Sequence, residues 1–303
     1  MHSGNTKHHG KLPKRKGYNH DLLFRIQMVK DQMAVLYGEE FRLEVDAPLH
    51  DLVKVKKSEL ETRKNKEREK EEYSFRLFKQ DYQLMRKKRE YESSKGYDQD
   101  VKYFHLSPQV LHIDGDPIFL KKCIHLYKQL GLQVHGLHVQ EKEMPLKIRE
   151  LLEKIQPDIL VITGHDSFSK NKGSKNDLRA YRHSKYFVDT VREARKFMPS
   201  LDQLVIFAGA CQSHFESLIR AGANFASSPS RINIHALDPV YIVAKIGFTS
   251  FMEKVKVWDV LRNTMTGEKG IGGLETKGLF RTGLPFVEEE ESPYEMEKEL
   301  KPY

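Results

Sequence analysis

Three apolar stretches of this chain end in residue types that can do chemistry. LVIFAGAC (204–211) ends in Cys211, DILVITGH (158–165) ends in His165, and VLHID (110–114) runs into Asp114-Gly115-Asp116. A cysteine attacks as its thiolate, and a histidine takes up and returns protons near neutral pH. A cysteine and a distant histidine held within reach of each other are the minimum for acyl transfer through a thioester. Cys211 follows the small residues Ala208, Gly209 and Ala210 and precedes a stretch that reads as a helix over 213–221, whose free N–H groups would favour a thiolate. Cys123 reads as core, because it shares a helical stripe with Phe119, Leu120, Tyr127 and Leu130. His183, His214 and His235 fall in or beside helices and loops; His214 is the best rival base, though on a following helix it points away.

These residues need a scaffold that brings strand ends together. From residue 103 onward, near-continuous apolar strands alternate with helices: strands at 110–114, 133–138, 158–165 and 204–211, helices at 117–130, around 144–155, at 178–197 and 213–221, and ANFASS as a further strand. That pattern predicts a doubly wound, mostly parallel α/β sheet covered on both faces, whose ligands bind beyond the carboxyl ends of the strands. With the first strand beside the third and the third beside the fourth, Cys211 and His165 emerge on one edge. GEKGIGG, near residue 270, reads as a loop. No Walker or Rossmann glycine run follows a strand, and Ser213 and Ser217 stand where amidotransferase-type glycine and phosphatase-type arginine are required.

The rest of the chain divides by composition. Residues 1–20 are a basic leader that reads as disordered; 21–56 hold short strand-like pieces that read as a small SH3- or KOW-like β-barrel; 57–100 form a charged helical linker; 101–286 form the α/β domain; 287–303 form an acidic tail. The apolar stripe of the linker is confined to Phe75, Phe78, Tyr82 and Met85, so most of it reads as a solvated connector. The net charge of +8 is segmental, with 13 Lys and Arg against 7 Asp and Glu between Lys56 and Arg89. Aromatic stacking platforms hardly accompany it, so nucleic acid is not the expected partner. Two cysteines in 303 residues argue against a secreted disulfide framework; no run suits a membrane span and the N-terminus is no signal peptide, which together point to the cytoplasm.

The order of apolar strand, Gly-His, spacer, apolar strand and Ala-Cys resembles the caspase, legumain and gingipain clan of cysteine peptidases. Glycine here precedes His165 instead of following it, and Gln212-Ser213 follows the cysteine. Backbone N–H groups of Cys211 and Asp166 are therefore the oxyanion-hole candidates. Longer segments, among them ILVITGHDSFSKNKG, AYRHSKYFV, QLVIFAGACQSHFESLIRAGANFASSPSRINIHALDPVYIVAKI and VLRNTMTGEKGIGGLETKG, resemble the YabG family of sporulation proteases of endospore-forming bacteria, from about residue 21 to 285. The resemblance implies a cysteine endopeptidase of the mother cell, associated with the spore coat, that processes coat proteins by cleaving after Arg with Cys211 and His165, without metal or cofactor. An Arg-selective site needs a buried carboxylate. Asp114 is the first candidate, then Asp116, which also looks like a helix N-cap, with Asp166 and Asp238 in reserve. The arginine-rich helix is a possible self-cleavage target. The rival reading is a non-catalytic coat scaffold or RNA-binding protein that uses the helix and barrel.

Overall fold

The computed structural model describes residues 12–18, 21–93 and 104–283 of the chain. Most of the basic leader and the acidic tail lie outside the described residues. The protein is a mixed α/β structure around a mostly parallel six-stranded sheet. Its strands are β7 (Val110–Asp114), β8 (Val134–His138), β9 (Ile159–Thr163), β10 (Val205–Ala208), β11 (Phe225–Ser227) and β13 (Ile271–Gly273). They lie in the order β8-β7-β9-β10-β11-β13, with only β13 antiparallel to its neighbour. The first five follow the 2-1-3-4-5 order of a common doubly wound sheet, with the switch point between β7 and β9.

Alternation along each strand explains the two covered faces. Val110, Ile159, Val161, Val205, Phe207 and Phe225 join one apolar cluster, and their neighbours Leu111, Ile113, Leu160, Ile162, Ile206 and Ala226 join another. The first cluster is covered by α2 (Pro117–Leu130) and α6 (Asp238–Phe248), the second by α3 (Met144–Ile155), α4 (Ser184–Phe197) and α5 (Phe215–Ala221). Side chains of period two in a sheet buried on both sides must divide in this way. Cys123 sits on α2, wholly buried within the first cluster.

Three local expectations are corrected. The helix expected over 178–197 begins only at Ser184; Leu178–Ala180 form a single 3-10 turn, and Tyr181 is drawn into a bridge with Phe168. The helix expected over 213–221 begins at Phe215, with His214 as its N-cap. The glycine-rich segment read as a loop contributes β13. Its Gly273 lies so close to Phe225 that a β-carbon would meet the ring at 2.4 Å, so glycine here serves strand contact.

The N-terminal β-unit comprises β1 (Pro13–Arg15), β2 (Phe24–Lys30), β3 (Met33–Gly38), β4 (Glu44–Pro48) and β5 (Leu52–Lys54). It forms a three-stranded antiparallel sheet, β2-β3-β4, and a β1-β5 pair, so strand pairing starts within the basic leader. The 37-residue helix α1 (Lys57–Ser93) follows. Phe78 is buried in the α/β core with Phe75, Tyr82 and Met85 packed around it, so the end of this helix is docked rather than solvated. Among the described residues no helix is long and apolar enough to cross a membrane.

Candidate active site

In the β9–β10 register Ala208 stands opposite Ile162, so Cys211 and His165, each three residues further on, leave neighbouring strands at the same level. Asp114, opposite Thr163, ends the next strand over. The sheet thus brings Cys211, His165 and Asp114 to one edge. The chain turns sharply on either side of the cysteine: Gly209 before it has φ 115° and Gln212 after it φ 57°, both in the left-handed region. The Gln212 side chain accepts from Phe168 N at 3.1 Å and donates to Asn233 at 3.2 Å, fixing the turn from both sides.

The N-terminal β-unit covers this edge. Arg42, in the β3–β4 connection, turns its carbonyl oxygen toward the strand ends, where it accepts from Cys211 N at 3.1 Å and from Asp166 N at 3.2 Å. Its side chain is wholly buried. The guanidinium donates to Asp114 at 2.7 Å and to the Ala236 carbonyl at 3.0 Å, and lies over the Phe119 ring at 5.2 Å. Burial alone would raise the Asp114 carboxyl, but the Arg42 guanidinium and His112 outweigh it and hold the group at about 2.

Cys211 joins the apolar cluster of Phe24, Leu36, Leu43 and Ile234 at the base of the β-unit. Its thiol donates toward the Ile234 carbonyl at 3.6 Å and receives the Ile234 N–H at 3.2 Å. Burial pushes the thiol far above its ordinary range, against the smaller opposing effect of the Ile234 N–H, so the group is protonated. The expected helix-assisted thiolate is corrected for this arrangement: α5 begins four residues away, and burial dominates.

His165 is also wholly buried and stacks on Tyr37 of β3, with ring centroids 3.8 Å apart. Nε2 faces Asp116 at 3.2 Å and Nδ1 faces Glu141 at 3.8 Å, neither in hydrogen-bonding alignment. Burial works against the imidazolium, yet these two carboxylates together raise the His165 pKa. Neither ring nitrogen is bonded to Cys211, whose partners are Ile234 and Arg42.

The remaining carboxylates have other duties. Asp116 caps α2 by accepting from Ile118 N at 2.7 Å and Phe119 N at 3.2 Å, and also pairs with Arg25. Asp166 holds Ser184, His183 N and Ser213, and Asp238 holds Met265 N and Thr266, so both are engaged in tying loops. His214 accepts from Ser217 N at 3.3 Å, while His183 and His235 pair with Glu44 and Glu67 at 2.8 and 2.7 Å. Glu67, Glu71 and His235 offer ligand atoms within 4.8 Å of one another, spanning α1 and the loop before α6.

Sequence reasoning missed Arg42, Tyr37 and Glu141. Glu141 accepts from His165 N at 2.9 Å and fills the space left by Gly115 and Gly164, where a β-carbon would lie 2.1 and 2.5 Å from its Oε1. Those two glycines are the only sequence trace of it. A cavity of about 410 Å³ is lined by Tyr37, Glu44, Asp116, His138, Glu141 and His183 among others; His165 lies behind Tyr37, Asp116 and Glu141 and does not line it.

Two comparisons bear on this site. Residues 8–285 match the family described as YabG peptidase U57. The chain is 57% identical over 282 residues to the sporulation-specific protease YabG of Bacillus subtilis (strain 168), a match covering 91% of this chain and 97% of that protein.

Proposed function

This chain belongs to the YabG peptidase family and is a peptidase; on that premise we propose that it is a cysteine endopeptidase that cleaves after Arg and processes spore coat proteins in the mother cell during sporulation. One observation carries the proposal: the N–H groups of Cys211 and Asp166 converge on a single carbonyl oxygen, that of Arg42, at 3.1 and 3.2 Å. Two amides aimed at one oxygen beside a cysteine are what a tetrahedral oxyanion requires.

In the proposed reaction the Cys211 thiol gives its proton to His165 as its sulfur bonds to the scissile carbonyl carbon, and the oxyanion is held by the Cys211 and Asp166 amides. The C–N bond then breaks as His165 gives a proton to the leaving amine. Water, deprotonated by His165, attacks the thioester, and Cys211 leaves and takes that proton back from His165 as the thiol re-forms. Asp114 receives the guanidinium of the substrate Arg, and Phe119 supplies a ring face beside it. Asp116 and Glu141 orient His165 and favour its protonated form.

The test uses purified wild-type, Cys211→Ala and His165→Ala proteins on paired peptides that differ only in Arg or citrulline before the cleaved bond. Wild type should cleave the Arg peptide alone, and both variants should lose at least about a thousandfold in kcat/KM while remaining folded. Activity retained by Cys211→Ala would overturn the cysteine mechanism.

A further inference from the structure

Cleavage after Arg requires the site to be empty, and in this structure it is not. We propose that Arg42 is a built-in pseudosubstrate: the β3–β4 connection occupies the site as a substrate arginine would, and confines activity to the small fraction of molecules from which the N-terminal β-unit has withdrawn. The inference rests on the catalytic assignment of the preceding subsection and adds a regulatory occupant to it.

Three contacts coincide at Arg42 itself. Its carbonyl oxygen takes both amides of the oxyanion site, and its guanidinium lies on Asp114. Beyond it, Leu43 bridges Asp166 in parallel, and Glu44 N donates to the Asp166 carbonyl at 3.3 Å. On the other side Phe41 bridges His235 and the Glu40 carbonyl accepts from Ala236 N at 3.1 Å, so the segment is gripped on both sides of the Arg42–Leu43 bond, as an inhibitor is held. The same β-unit stacks Tyr37 on His165 and encloses Cys211 among Phe24, Leu36 and Leu43. Nucleophile, base, oxyanion donors and acidic pocket are all covered by one element.

Packing alone does not explain this residue. An apolar side chain would dock a β-unit without desolvating a guanidinium. Arg42 is nevertheless the largest side chain wholly buried among the described residues, and its Nε has no acceptor. The charge is accounted for if Asp114 must receive a cationic ligand, and the incomplete pairing leaves the occupant replaceable by one that fits better.

The experiment follows alkylation of Cys211 by iodoacetamide, located by mass spectrometry and with folding checked by circular dichroism, since Cys123 touches the Arg42 guanidinium at 3.5 Å and is no neutral control. Arg42→Ala should raise the Cys211 alkylation rate at least about tenfold, in proportion to the open fraction. Ethylguanidine, which replaces the deleted atoms, should bring that rate back toward wild type, and should do nothing in Arg42→Ala/Asp114→Asn. Folded Arg42→Ala protein that alkylates at the wild-type rate would overturn the proposal. A second arm uses wild-type protein and so does not depend on the variant folding. Alkylation by an arginyl chloromethyl ketone and by iodoacetamide should reach one shared ceiling with rising reagent, set by withdrawal of the β-unit. Rates that stay proportional to reagent up to those of a free thiol would refute latency. Because alkylation needs no turnover, an absence of peptide hydrolysis in every protein would count against the catalytic assignment and leave these results readable.

Discussion

Arg42 and Asp114, 72 positions apart in the chain, form an ion pair of 2.7 Å in which neither side chain is exposed. Removing one member strands the other. Asp114→Asn should lose about 3 to 5 kcal/mol in urea unfolding, whereas Arg42→Met/Asp114→Asn, which strands no charge, should lose markedly less. Equal losses in the single and double variants would show that the two groups are not coupled.

The pair also sets an acid limit. The folded Asp114 carboxyl, at about 2, lies below its ordinary value of 3.8, so the unfolded chain binds the proton more readily. Its contribution is therefore complete above the ordinary carboxylate range and fades as pH falls toward 2. Unfolding free energy measured between pH 5 and pH 2 should drop more steeply in wild type than in Asp114→Asn, by about one proton's worth of slope.

His165 titrates in the opposite sense. Its pKa is raised, burial being outweighed by Asp116 and Glu141, so this stabilising contribution is present below the ordinary histidine range and is lost as pH rises through the elevated value. Asp116→Asn and Glu141→Gln should each move the imidazole midpoint down, as read from its ring-proton shifts by NMR. A midpoint unmoved in both variants would mean that neither carboxylate governs the ring.

Gly164 and Gly115 leave space for Glu141. Gly164→Ala puts a β-carbon 2.5 Å from Glu141 Oε1, and relief requires the carboxylate to swing away from His165. We expect a stability loss of about 1 to 3 kcal/mol from the crowding, and a fall in kcat with little change in KM, since Asp114, the proposed substrate-binding carboxylate, does not touch Gly164 or Glu141. Glu141→Ala added to Gly164→Ala should restore stability and leave kcat low. Full kcat in Gly164→Ala would remove Glu141 from any role in orienting the histidine.

The central sheet is legible in the sequence because β7, β9 and β10 are apolar on both faces and punctuated by glycine at their ends. Strand adjacency, which sets Cys211 and His165 at the ends of neighbouring strands, follows from the common doubly wound order. What covers the site is not legible. Arg42 stands in FRLEV, where it and Glu44 alternate with apolar residues and read as the outward face of a strand, and its partners Asp114 and Ala236 lie 72 and 194 residues away. Glu141 stands in Glu141-Lys142-Glu143, a run indistinguishable from a solvated turn until Gly115 and Gly164 are seen to enclose it. β13 escapes because its glycines, which signal a loop locally, are required by the nearness of Phe225.

Separation in sequence carries a consequence for how each molecule is made. The β-unit leaves the ribosome first, but the carbonyl that holds the Arg42 guanidinium belongs to Ala236, near the end of the α/β domain. Contacts this distant along the chain form late, after the local elements have condensed. Every newly synthesised copy therefore passes through an interval in which the strand ends are assembled but still bare. Under the proposed latency, the length of that interval, set by how fast the β-unit docks, fixes how much activity a population shows before the docked state is reached.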